Sequence, residues 1–181
     1  MRVVVVPHDP AWRAAFAREA GRLRASLGTN VLDVQHIGST AIDGIAAKPV
    51  IDIQLVVHAL DRLDAATTTM LDLGYEALGE YGLPGRRYFR RDRPPGVRTH
   101  QIHAYQDGHP DIARHLAFRD YMRAHPADAA DYAALKVRLA AEHDGDLDRY
   151  VRGKASFVES MERRALAWAG AQGGHRLTGA R

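Results

Sequence analysis

Residues His36 to Gln54 read HIGSTAIDGIAAKPVIDIQ, a glycine turn followed by an apolar strand with a carboxylate in its middle. Side chains two apart on a strand share a face, so Val50, Asp52, Gln54 and Val56 project together, opposite Ile51, Ile53, Leu55 and Val57. A carboxylate inside so apolar a strand is costly unless it is hydrogen-bonded or bound to a metal, and this alone makes Asp52 a candidate site residue. Capping of neighbouring backbone groups is the structural alternative. Upstream, Gly38, Ser39 and Thr40 follow the strand candidate Val31–Ile37 at a helix start. Such a turn offers backbone N–H groups and hydroxyls to an anion, phosphate being the natural ligand. A plain helix cap is the other reading of these three residues.

Asp9-Pro10 starts a helix whose Trp12, Phe16, Ala20, Leu23 and Leu27 share one face, and Gly28 ends it. Val3–Pro7 before it reads as a short strand or extended arm. Residues 41–48 could hold a short helix stopped by Pro49, and Val50–Val57 reads as an interior strand. One helix is expected over Ala59–Leu73 with Gly74 at its C′ position, then a short strand at Tyr75–Leu78. Arg87–Arg91 and Val97–Tyr105 form a hairpin, and three helices follow near residues 112–124, 126–143 and 147–169. The pattern predicts an α/β (α+β) architecture, a mixed sheet flanked by helices with a C-terminal helical portion. Residues 1–170 are read as one domain and 171–181 as a disordered tail.

The 181 residues are 46% hydrophobic and 26% charged, as expected of a globular chain with one buried core. No apolar run is long enough to span a bilayer, and the absence of cysteine excludes disulfides, thiolate metal sites and cysteine nucleophiles. A cytoplasmic location is the expectation. The net charge is +3, and of 25 basic residues only Lys48, Lys136 and Lys154 are lysines. An arginine excess beside abundant alanine and glycine reads as base-composition bias of the gene, so arginine number alone does not argue for nucleic acid. The one local concentration, Arg86 to Arg98, has six arginines against Asp92 and could grip a polyanion; a solvated charged face is its plainer reading.

Several segments together resemble the GrpB family: Val6-Pro7 with Asp9-Pro10 and Trp12; His36–Ala41 with Ala47-Lys48-Pro49 and Ile51-Asp52; and His100 with His103. Phe118–Tyr121, Ala124–Pro126, Tyr132 with Leu135-Lys136, and Tyr150 with Lys154 extend the resemblance from about Val3 to about Ala165. That family is placed in the nucleotidyltransferase superfamily, so the resemblance implies a nucleotidyltransferase-like mixed sheet. It implies further that Gly38, Ser39 and Thr40 hold nucleotide phosphates and that Asp52 is a carboxylate for Mg²⁺ or Mn²⁺. It places Lys136 and Lys154 on the cleft, where the helical i,i+4 pairs Tyr132/Lys136 and Tyr150/Lys154 would otherwise read as surface lysines beside half-buried tyrosines. Lys48 could reach the same phosphates from the end of the turn, or be a solvated helix-end lysine.

The sequence departs from the superfamily at Gln54, where a second carboxylate is expected and where an amide carbonyl is a weaker ligand. Two-metal transfer needs several anionic oxygens around two divalent ions. The later strand supplies His100 and His103 instead of an acid, and these point to opposite faces. His103 is a candidate general base, metal ligand or phosphate contact, with a structural sheet histidine as the alternative. Two functions therefore stand side by side: transfer of a nucleotidyl or phosphoryl group with a divalent metal at Asp52 and Gln54, or metal-indifferent binding of a nucleotide or phosphorylated small molecule. Nucleic-acid binding through the arginine hairpin is a third and weaker one.

Overall fold

A computed structural model describes residues 4–143 and 146–172. Trp12, Ala20 and Leu23 place the buried stripe of α1 (Ala11–Leu27), and Asp9 Oδ1 accepts the Ala11 N–H at 2.8 Å to open it. β1 (Val31–Ile37) runs antiparallel to β2 (Ile51–Val57), the apolar strand that carries Asp52. Between them residues 41–48 form no helix; only a single 3₁₀ turn, Ser39–Ala41, stands there. The physical reason is visible in Ala47, whose backbone exchanges two 2.9 Å hydrogen bonds with Val6 and is thereby held extended. The expected arm near the N-terminus is thus a one-residue bridge at Val6, and Val3 lies outside the described residues.

The expected helix over Ala59–Leu73 is two, α2 (Leu60–Ala65) and α3 (Thr67–Asp72), separated at Ala66. Thr67 Oγ1 donates to the Asp64 carbonyl at 2.7 Å, the local hydroxyl-to-backbone competition that interrupts helices. Gly74, at φ +88°, closes α3 as the C′ residue, and β3 (Glu76–Ala77) follows. β4 (Arg86–Asp92) and β5 (Arg98–Gln106) make the antiparallel hairpin, and β5 lies parallel to β2 in a sheet ordered β1-β2-β5-β4-β3. Both neighbours of β2 are therefore strands, which is why it is almost continuously apolar.

One face of the sheet presents Ile51, Ile53, Leu55, Val57, Ile102 and Phe89 to α1, α2 and α3, sealing Leu23, Leu63 and Met70 completely. The opposite face presents Asp52, Gln54, Gln101 and His103, since Asp52 pairs with Gln101 and Gln54 with His103. This second face meets α4 (Pro110–Ala124), α5 (Pro126–Glu142) and α6 (Leu147–Ala171), which share a separate apolar cluster built from Ile42, Ile45, Met122, Tyr132 and Met161. α6 continues through Ala171, and residues 173–181 of the expected tail lie outside the described residues.

Candidate anion-binding cleft

Where the polar face of the sheet is left uncovered between the strands and helices α5 and α6, a cleft of about 380 Å³ opens. Its sheet side holds Ser39, Lys48, Asp52, Arg98 and Gln101, its helical side Lys136, Tyr150 and Lys154. Gly38 makes room for the carboxylate. Its φ is +69°, and a Cβ there would collide with the Asp52 side chain, so only glycine lets the turn pass this closely.

All three lysines of the chain converge on this carboxylate. Lys136 is 2% exposed, donates to the Ala46 carbonyl at 2.6 Å, and lies 4.5 Å from the Tyr132 ring centre. Lys154 sits over the Tyr150 ring at 5.6 Å. Burial, with Lys154 next to it, lowers Lys136 to about 7, and the same two causes lower Lys48. Burial raises Asp52 to about 6 against the pull of Lys154, Lys48, Arg98 and Lys136. Desolvation thus prevails over attraction at Asp52. Arg98 is already paired with Asp92 and Arg90 with Glu76, so the lysines are the positive charges left to a ligand among the described cleft residues.

Thr40 contributes its backbone position but not its hydroxyl. Its Oγ1 donates to the Val50 carbonyl at 3.0 Å, and buried His36, held neutral by burial at about 4, donates from Nε2 to the same oxygen at 3.0 Å. The hydroxyl ties the turn to the start of β2, and Thr40 as a residue is buried. Ser39, in contrast, lines the cleft.

Gln54 and His103 do not line the cleft; α4 covers them. The His115 ring, neutral because burial lowers it to about 4, donates from Nδ1 to Gln54 Oε1 at 3.1 Å and accepts from Arg114 at 3.2 Å. Arg86 donates to His103 Nδ1 at 3.3 Å, and burial lowers that ring to about 3. Gln54 Oε1 and His103 Nδ1 are thus each engaged by a protein donor, and Gln54 is completely buried. The donor set therefore does not fit the expected Mg²⁺ or Mn²⁺ site: among the described residues Asp52 is the only carboxylate in the cleft lining, Gln54 is sealed away, and three ammonium groups oppose a divalent cation. Among the described residues no group of three acidic, histidine or cysteine side chains is placed to hold a metal.

The arginine hairpin also reads differently in three dimensions. Arg87 pairs with Asp64 at 2.6 Å and Arg91 with buried Glu19 at 2.8 Å, while Arg86 turns inward to the Glu80 and Tyr81 carbonyls. Acids from α1, α2 and β3 thus neutralise Arg91, Arg87 and Arg90, so much of the charge that the sequence places on the hairpin is met within the fold. A larger groove of about 1200 Å³ lies behind the turn against α1, α4 and α5, but its arginines are likewise engaged, Arg13 by Asp43, Arg119 by Asp120, and Arg123 by Asp120 and the Ala41 carbonyl.

A mixed sheet whose glycine turn abuts a strand carboxylate, with helices closing one side, is the nucleotidyltransferase-like fold. A Cid1 poly(U) polymerase structure with Mg 3'-dATP bound matches it at a TM-score of 0.54 and 13% identity, covering 82% of this chain and 49% of that one. The chain belongs to the GrpB family, since the profile described as GrpB protein matches residues 2–164. Conserved protein GrpB from Enterococcus faecalis superposes with a TM-score of 0.87 at 42% identity, over 91% of this chain and 98% of that chain. UPF0157 protein YqkA of Bacillus subtilis is 39% identical over 167 residues; these cover 92% of this chain and 48% of the relative, so the chain spans about half of that protein's length.

Tyr81 and Tyr88 also line the cleft but carry no motif in the sequence. The signal that could have strengthened Lys48, Lys136 and Lys154 is compositional. In a chain with so strong a preference for arginine, each retained lysine marks a place where a compact ammonium is not interchangeable with a guanidinium.

Proposed function

We propose that the cleft binds a nucleotide or another phosphorylated small molecule, with the ammonium groups of Lys48, Lys136 and Lys154 neutralising its phosphates. The convergence of every lysine of the chain on one cleft, with a single carboxylate among its described lining residues, is the observation that carries this reading. Two of the three have lowered proton affinity through burial and mutual repulsion, and a phosphate among them would relieve that repulsion. Ser39 and the Gly38 turn add polar groups at the same wall. The shared fold with a polymerase described as holding Mg 3'-dATP supports a nucleotide over a simpler phosphate. The lysines supply the positive charge that divalent ions supply elsewhere, so binding is metal-indifferent.

Transfer of a nucleotidyl or phosphoryl group is the second reading. What favours it is Asp52: a carboxylate near pH 6 in its proton affinity, facing the lysines, is suited to accept a proton from an acceptor hydroxyl.

Calorimetric titration with ATP, GTP, CTP and UTP, first with Mg²⁺ and then with chelator, tests both. We expect binding that survives chelation and weakens about tenfold to a hundredfold in Lys136→Met, the range for losing a charge-assisted contact. Asp52→Asn should bind at least as well, because it removes a negative charge that faces the lysines. Binding that requires Mg²⁺ and disappears in Asp52→Asn would overturn the metal-indifferent reading, and turnover with an acceptor panel would establish the second. No binding of any nucleotide or of inorganic phosphates would sink the proposal.

A further inference from the structure

The loop joining β3 to β4 presents Tyr81 at the mouth of the cleft, and its construction suits a fixed platform. Tyr81 is 61% exposed and adopts φ +45°, a left-handed conformation that a bulky residue rarely takes. Strain of this kind persists only where the surroundings over-determine it. Here Arg86, itself buried, donates from Nη2 to the Tyr81 carbonyl at 2.8 Å and from Nε to the Glu80 carbonyl at 3.2 Å. Glu80 Oε1 accepts the Gly85 N–H at 2.8 Å, and Tyr88 N–H closes the loop on the Gly79 carbonyl at 2.8 Å. The Tyr81 ring stacks on Tyr88 at 5.0 Å and 15°, and Tyr88 is backed in turn by the Arg86 guanidinium at 5.0 Å. One face of Tyr81 is therefore supported by a buried aromatic, while most of the side chain remains open to water at a cleft whose far wall is lysine.

We propose that Tyr81 is a stacking platform for a planar heteroaromatic ring, so that the ligand of the lysine cleft is a base-bearing phosphate ester rather than a sugar phosphate or a bare polyphosphate. This rests on the reading of the cleft as a phosphate site and narrows it. Packing on Tyr88 uses only one face of the Tyr81 ring, and the 61% exposure leaves the other available to a ligand at the cleft. Stacking is tolerant of base identity, because every base has a π-face, so the platform selects a class of ligand and not one nucleotide. Removing the ring should weaken base-bearing ligands roughly fivefold to a hundredfold, the range measured for single base–aromatic stacks.

The test compares UTP and ATP with inorganic tripolyphosphate on wild type, Tyr81→Leu and Tyr81→Phe, with thermal melts as a folding control. The expected result is nucleotide binding weakened in Tyr81→Leu, retained in Tyr81→Phe, and tripolyphosphate binding unchanged in both. In Tyr81→Trp the added indole fluorescence should be quenched by nucleotide and not by tripolyphosphate. Equal affinity of wild type for nucleotide and tripolyphosphate, or nucleotide binding indifferent to Tyr81→Leu, would overturn the platform while leaving the phosphate site standing. Failure of both ligand types to bind wild type would overturn both.

Discussion

Lys136 is held where its charge is disfavoured, and that has a measurable consequence for the free protein. Its proton affinity is ordinary at 10.5 in the unfolded chain and lowered to about 7 in the folded one, first by burial and then by Lys154. The folded state therefore binds fewer protons between those limits. Stability rises with pH across that window, and the penalty is full below about pH 7. Lys136→Met should accordingly raise stability, by about 1–2 kcal/mol near pH 6 after allowing for the orphaned Ala46 carbonyl, with the gain fading as pH climbs toward 10.5. Urea unfolding of both proteins across pH 6 to 10 checks this. A variant uniformly less stable than wild type would mean that the hydrogen bond and the Tyr132 contact outweigh desolvation. Asp52 was legible at the same scale, since a carboxylate in an apolar strand is conspicuous by position alone. His103 was not, because alternation fixes which face a side chain takes but not which helix then covers it. Tyr81 was invisible for a third reason: loops have no period, and only the folded backbone reveals its conformation.

At the level of elements, α1 is fastened to the hairpin by one buried ion pair. Arg91 of β4 donates to both Glu19 oxygens at 2.8 and 2.9 Å, and Tyr75 OH donates to Oε1 at 2.9 Å. Burial pushes the Glu19 carboxyl up, but the Arg91 hydrogen bond and charge outweigh it, and the net shift is downward. A lowered carboxylate contributes stability that is present above the unfolded value of 4.5 and is lost as pH falls through its folded value. Glu19→Ala should cost about 3–5 kcal/mol near neutral pH, because it strands a buried guanidinium, and the difference from wild type should shrink in acid. Equilibrium denaturation at pH 7 and pH 4 measures it; a loss under 1 kcal/mol would show that solvent reaches Arg91 and heals the site. The sequence pattern located every long element but neither the split of α2 from α3 nor the extended 41–48 segment. Both depend on interactions outside periodicity: the Thr67 hydroxyl bond to Asp64 in one case, and the distant pairing of Ala47 with Val6 in the other. The partners of the hairpin arginines were not legible for a related reason, since Glu19, Asp64 and Glu76 approach from elements remote in the chain.

Across the whole molecule, the cleft joins two regions with separate apolar cores. Lys48, Asp52 and Arg98 stand on the sheet side, packed with α1 to α3, and Lys136, Tyr150 and Lys154 on the helical side. Leu139 and Tyr150 form a small cluster of their own where α5 meets α6, and Gly153 lies against Leu139 so closely that a Cβ there would clash. An anion held by all three lysines would therefore cross-link sheet and helices. Its effect should appear far from the contacts themselves, as slower amide exchange in α5 and the first half of α6. At a ligand concentration about a hundred times Kd the stabilisation is about 2.7 kcal/mol, which for a chain of this size raises Tm by roughly 5–10 °C. Thermal melts with and without nucleotide, paired with hydrogen exchange, read both effects. Protection confined to β1 and β2 would place the ligand on the sheet alone and leave Lys136 and Lys154 without a part in binding. Protection of α5 and α6 that vanishes in Lys154→Met would show that the anion, rather than general tightening, holds the two regions together.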